Sequence, residues 1–202
     1  MSAPGAIPLF TESELVVGQR DKLVEVVNEY DVHDRDGTLL GTAVQVGQSR
    51  FARAVRVLGK ADHFKAVELE VRDAAGTPVL RLTRPAKIVR SRVLVRRSDG
   101  TDVGEIRQDS TFGRARFSLL VGGQRIGVLT AKDWWARDFT ITDHDGAEIA
   151  RIVQTWEGLT KAVFSTADSY VVRIHRPQAD PLASMIVASA LTVDTALKQD
   201  AR

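Results

Sequence analysis

The chain contains no cysteine. Disulfide frameworks, thiolate-built zinc sites, cysteine nucleophiles and thioester lipidation are therefore excluded. Proline is scarce, with 6 copies in 202 residues and no tract that would read as a stiff linker. The opening MSAPGAIPLF lacks a basic n-region followed by an apolar run, so it does not read as a secretory signal. Neither GxSxG nor GxxxxGK[ST] occurs, which removes the nucleophile elbow and the phosphate-cradling loop. No cofactor is expected, no catalytic residue is singled out, and a reducing cytoplasm is the expected compartment.

Hydrophobic residues make up 44% and charged residues 27%, enough apolar material for a packed core. Of 25 valines, 23 precede residue 182, and β-branched residues suit strands. Net charge is only +2, but it is uneven. Arg50 to Arg97 holds 13 basic against 4 acidic residues, an excess of +9, which leaves 15 against 22, or −7, elsewhere. Such asymmetry fits an anionic partner or a charged surface with no partner at all.

One unit recurs: an alternating apolar run, a polar turn with glycine, and a second apolar run. It appears at Tyr30–Gln45, Leu69–Arg84, Val93–Gln108, Phe117–Thr130 and Phe139–Gln154. The turn glycines are Gly37, Gly76, Gly100, Gly123 and Gly146. Tight hairpin turns need positive φ, which glycine adopts without a Cβ clash. Consecutive hairpins with one apolar face predict an antiparallel sheet. Closing that sheet into a barrel would remove its exposed edges.

The texture changes at Leu182–Leu197, which has no glycine or proline and is rich in Ala and Leu. Asp180-Pro181 supplies an N-cap followed by a first-turn proline. The segment is apolar nearly all round, which predicts a helix buried on every side. As a membrane span it is too short, since sixteen residues reach about 24 Å against a bilayer core of about 30 Å. It also carries Asp194, which is costly in lipid.

Strand-rich order, D-x-x-G hairpins and a terminal apolar helix together resemble the LURP-one-related and phospholipid scramblase families. The likeness is carried by Tyr30-Asp31-Val32-His33-Asp34 with Gly37 and Gly41, and by Leu69-Glu70-Val71 with Asp73 and Gly76. Trp134 to Gly146, Ala167-Asp168-Ser169-Tyr170-Val171 and the helix Leu182–Gln199 complete it. The resemblance implies a tubby-like fold: a closed, twelve-stranded antiparallel barrel enclosing a hydrophobic C-terminal helix. Residues 1–14 then form a short leader, ordered in part at most, and 15–202 one barrel domain with its helix at about 181–198. Relatives carry a proline-rich extension, a cysteine cluster and an acidic calcium segment before the helix. Here that segment, His175 to Asp180, has a single acid, so calcium activation does not carry over.

The sharpest local feature is Arg81–Arg97, with seven basic residues and no acid. Arg90, Arg92 and Arg96 share a strand parity opposite Val89, Val93 and Val95. Arg84, Lys87, Arg90, Arg92 and Arg96 are the candidate ligands for phosphate groups of anionic phospholipid, which Arg grips through its bidentate fork. The competing reading is a solvated outer face paired with acids such as Glu105 and Asp109. Trp134 and Trp135 are candidate membrane-interface anchors or covers of a barrel end. Nucleic acid is not expected, because no aromatics interleave the basic run. Asp34 to Gly37 and Asp143 to Gly146 open like calcium loops but lack the later glutamate, so they read as turns. No metal site is expected from the scattered His33, His63, His144 and His175. A non-enzymatic lipid-surface protein leads. A protein-interaction module with the same basic face stands beside it, and a hydrolase with a spatially assembled site comes third.

Overall fold

The computed structural model of the chain describes residues 7–19, 29–46, 67–85, 91–109, 115–131, 138–154 and 169–200, with side chains to residue 193. Twelve strands appear in chain order: β1 (Glu14–Gln19), β2 (Glu29–His33), β3 (Leu39–Val46), β4 (Val67–Asp73), β5 (Pro78–Arg84) and β6 (Arg92–Arg97), then β7 (Asp102–Gln108), β8 (Arg116–Val121), β9 (Gln124–Ala131), β10 (Asp138–Asp143), β11 (Glu148–Gln154) and β12 (Ser169–Ile174). Every strand pairs antiparallel with its sequence neighbours, and β1 pairs with β12 to close the barrel. The closed wall leaves no exposed sheet edge.

The alternation read in the sequence becomes inside and outside. In β6, Val93 and Val95 are buried and Arg92 and Arg96 exposed. In β10, Phe139 and Ile141 are buried, and in β4 Leu69 and Val71. Five tight connections of two to five residues join β2–β3, β4–β5, β6–β7, β8–β9 and β10–β11, all at one end of the barrel. At this turn end Gly37, Gly76, Gly100, Gly123 and Gly146 take φ between 81° and 91°, as the hairpin reading requires. A register shift precedes each of these turns, at Val32/His33, Val71/Arg72, Val95/Arg96, Leu119/Leu120 and Ile141/Thr142. Such bulges increase local twist and help a sheet curl on itself. The remaining six connections join strand ends at the opposite, far end, and apart from Pro85, Ser91, Asp109 and Ala115 they lie outside the described residues.

Helix α1 (Leu182–Asp200) starts at the turn end, where β12 finishes, and runs down the barrel axis. Every side chain from Ala183 to Val193 is buried, including Ser184, Ser189 and Thr192. Ser189 and Thr192 satisfy their hydroxyls by donating to the carbonyls of Met185 and Ala188 at 2.7 and 2.8 Å. The wall makes room for this rod at Gly104. A Cβ there would lie 3.0 Å from Met185 Sδ and 2.4 Å from the Leu120 carbonyl oxygen. Among the described residues no helix is long and apolar enough to cross a membrane.

Residues 8–10 form a single 3-10 turn whose Leu9 is fully buried, packed among the core side chains. Part of the stretch assigned to a leader is therefore built into the turn end. Beside the second half of α1, a cavity lined by Ser91, Val93, Phe117, Phe139, Thr192 and Val193 has a volume of only about 10 Å³. That is room for about one water and none for a lipid tail.

Candidate functional site

The basic run does not form one strand. Arg81 to Arg84 belong to β5 and Arg92 to Arg97 to the antiparallel β6, with Pro85 after the end of β5. Proline has no N–H to donate to a sheet ladder, so a strand does not continue through it readily. The fold therefore brings Arg81 opposite Arg96 across the β5–β6 pair.

This regrouping divides the candidate residues. Arg84 shares the inward parity of Leu80 and Leu82, at the far rim opposite Val67, and is half-buried. It is not on the face of Arg92 and Arg96, because one residue's parity on β5 does not carry across to β6. Arg96 is exposed, but its Nε donates to Asp102 Oδ1 at 2.7 Å. Arg81, beside it, meets Glu68 at 3.0 Å and Glu70 at 3.5 Å. Glu70 also takes Arg72, at 2.7 Å. This part of the wall is a neutralised lattice. Lys87, Arg90, Trp134 and Trp135 lie outside the described residues.

Arg92 stands differently. It is exposed at the start of β6, and its partner across the β6–β7 pair is Arg107, also exposed. Among the described residues neither makes an ion pair. Asp109, one of the acids expected to neutralise the run, instead meets Arg116 at 3.4 Å and accepts from Ser118 Oγ at 2.9 Å. Glu105 faces Leu94 and forms no ion pair among the described residues. Arg107 lies outside the run and was not singled out in the sequence. Folding the hairpin about its turn glycine brings it near Arg92, and the bulge at Val95/Arg96 decides the final register.

The acid-rich turns are hydrogen-bonded within themselves. Asp34 Oδ1 accepts from the amides of Asp36 and Thr38 at 2.9 and 2.8 Å, and Asp143 Oδ1 from Asp145 and Ala147 at 3.0 and 2.9 Å. The Thr38 amide holds the Asp34 carboxyl below its ordinary range, and the Thr101 amide does the same for Asp99. These are turn-organising carboxylates. Among the described residues no group of His, Asp and Glu is placed to hold a metal ion. His175 Nε2 meets Glu148 at 3.0 Å and His144 Nε2 meets Asp145 at 3.3 Å, separate surface contacts.

In the β6–β7 turn, Arg97 occupies the place that Asp34, Asp73 and Asp143 hold in theirs, four residues before a threonine or alanine whose carbonyl receives its amide. Its guanidinium reaches Asp180, just before α1, and lies 5.9 Å from the Phe10 ring centroid. Asp180 also accepts from Ser184 Oγ at 2.6 Å. Burial pushes the Asp180 pKa up, but hydrogen bonds from Ser184 and Arg97 outweigh it and hold the carboxyl below its ordinary 3.8.

A family model described as Scramblase matches residues 3–197. The X-ray structure of a protein from Arabidopsis thaliana aligns over 94% of this chain and 99% of that chain, with a TM-score of 0.52 and 17% identity. At that identity the likeness shows the shared fold alone. No curated protein matches the chain.

Proposed function

The chain belongs to the scramblase family, and from that premise we propose that it is a non-enzymatic, peripheral barrel that docks on anionic phospholipid headgroups at a cytoplasmic membrane surface. One observation carries the reading: Arg92 and Arg107 face each other, exposed and without an acid among the described residues, on a wall whose neighbouring arginines are neutralised. Like charges directly opposite on a sheet destabilise it. A phosphate group between the two guanidiniums would relieve that repulsion, accepting from both forks. The small volume of the cavity beside α1 favours recognition of a headgroup outside over a tail there. Lys87, Arg90, Trp134 and Trp135 belong to this reading by sequence alone.

The test is co-sedimentation with phosphatidylcholine vesicles with and without phosphatidylserine. The chain should pellet with the anionic vesicles and release as salt rises, because screening shortens the reach of exposed charges. Each cation at an anionic surface is worth about 1 kcal/mol, so Arg92→Glu with Arg107→Glu should weaken binding by about tenfold or more. Unaltered binding by that double variant overturns the assignment. Binding to polyglutamate with none to vesicles favours an acidic protein partner instead.

A further inference from the structure

Residues 7–12 are fastened to the turn end by side chains alone. Their backbone bonds close on themselves: the amides of Phe10, Thr11 and Glu12 donate to the carbonyls of Ile7 and Pro8 at 2.9, 3.0 and 3.0 Å. Among the described residues no backbone bond joins this segment to the wall or to α1. The ladder takes over only at Ser13, whose carbonyl accepts from the Ile174 amide at 2.8 Å. Leu9 is fully buried, and Ile7 and Phe10 pack against the core. The seat lies against β3 and α1, and glycine keeps it open, because a Cβ at Gly41 would stand 3.4 Å from Leu9 Cδ2 and 2.4 Å from the Arg72 carbonyl oxygen.

The remaining fastening is Arg97. Asp34, Asp73 and Asp143 each accept from the amide four residues on in their own turns. The β6–β7 turn departs from that pattern. Arg97 stands in the corresponding place, and Asp99 organises the turn instead, its Oδ1 accepting from the Thr101 amide at 2.8 Å. Arg97 is thereby free to join parts of the chain that are distant in sequence. Its guanidinium is paired with Asp180, lies 3.4 Å from Ser184 Oγ in the first turn of α1, and stands 5.9 Å from the Phe10 ring centroid. Its side chain is only 29% exposed.

We infer that residues 7–12 are a detachable plug in the mouth of the turn end, and that Arg97 is the bolt that makes the plug open and close together with the first turn of α1. A segment whose backbone bonds are its own leaves without breaking a sheet ladder. Its release gives up side-chain burial and the contacts of Arg97, and nothing of the wall. Such an opening has its own free energy, below that of global unfolding. Arg97 couples the two parts because it touches both. When Phe10 leaves, the guanidinium loses an aromatic face. When the guanidinium leaves Asp180, the start of the helix loses a charged partner. Coupling of this kind is reciprocal, so loosening either part loosens the other. The device lies at the opposite end of the barrel from Arg92 and Arg107 and does not depend on what they bind.

Hydrogen exchange of the full chain, read by mass spectrometry, tests this. Three sets of amides are compared: Phe10 to Glu12 in the plug, Ala183 and Met185 at the start of α1, which donate to the Ala179 and Pro181 carbonyls, and β4 with β5 as the wall. Arg97→Met keeps the bulk and removes the charged fork. Exchange should quicken about tenfold or more in the plug and at the helix start, the worth of a hydrogen bond to a charged group, with the wall unchanged. Phe10→Ala alters the plug alone and should still quicken Ala183 and Met185 about two- to fivefold, the size of a cation–π contact. If Arg97→Met quickens the helix start without the plug, Arg97 serves the helix only and the bolt is overturned. Equal quickening of the wall overturns a separate opening, and unchanged exchange in both parts overturns the whole inference. Should Arg97→Met not fold, Arg97→Lys, which keeps the charge without the fork, carries the same comparison with a smaller factor.

Discussion

The two ends of the barrel solve the same problem, joining antiparallel strands, in different ways. At the turn end the connections are two to five residues long, and their polar groups are consumed locally. Asp34, Asp73 and Asp143 cap their own turns, Arg97 is bound to Asp180, and Leu9 packs into the core. At the far end the described wall keeps a pair of arginines with no acid between them. A group whose bonding capacity is met inside the fold has little left for a ligand. The contrast therefore teaches where to look: the turn end holds the helix in place, and the far rim keeps charge available.

The comparison breaks most severely if the shared rod is removed. Leu191 is fully buried between the two ends. Leu191→Asp places a charge with no partner inside the barrel, a cost comparable with the whole stability of a domain, about 5–15 kcal/mol. Circular dichroism should show loss of the cooperative melt. A normal melt means the helix is not what the wall closes on. Next in size is Leu9→Ala, which empties a fully buried site at the turn end and should cost about 2–5 kcal/mol in a denaturant titration. A cost under about 0.5 kcal/mol, the level of a surface substitution, would show that residues 8–10 merely rest on the barrel.

The strands, the turns and the helix were legible in the sequence because each has a local cause. Period-two valines, an Asp three residues before a turn glycine, and an all-round apolar segment need no partner to be recognised. The basic site was only half legible, because it depends on pairing across strands. Treating Arg81–Arg97 by parity placed Arg92 and Arg96 outward, as the fold does. It also grouped Arg84 with them, whereas β5 turns Arg84 inward. It could not reveal that Asp102 takes Arg96, or that Arg107 arrives opposite Arg92. Those facts follow from a bulge in the hairpin, which shifts register by one residue and so decides which charges meet.

A smaller effect sharpens the account of the turn end. Asp180→Asn removes the charge and one of the two acceptor oxygens that Arg97 and Ser184 use, and should cost about 1 kcal/mol, the usual net worth of one hydrogen bond. The linkage has a definite sign. Asp180 has a folded-state pKa below the ordinary 3.8, so its contribution is complete above that pH and disappears as pH falls through the lower folded value. Melting temperatures of parent and variant should therefore differ at neutral pH and converge in acid. Since Asp180 is about half exposed, 48% by side chain, the convergence is modest. A gap that persists undiminished below the folded pKa would assign the loss to packing rather than charge.

The smallest effect on stability belongs to the far rim, and its sign is opposite. Arg107→Glu converts a repelling pair into an attractive one, because its partner across the ladder is Arg92. An exposed cross-strand ion pair is worth about 0.2–1 kcal/mol, so the variant should melt slightly higher than the parent chain. The same change removes one of the two guanidiniums proposed to grip a phosphate, and binding to phosphatidylserine-containing vesicles should fall. A residue kept only for the fold loses stability when replaced, whereas one kept for a ligand can gain it while the ligand is lost. If Arg107→Glu both lowers the melt and leaves vesicle binding intact, the facing arginines serve the wall itself, and the distinction between the two ends disappears.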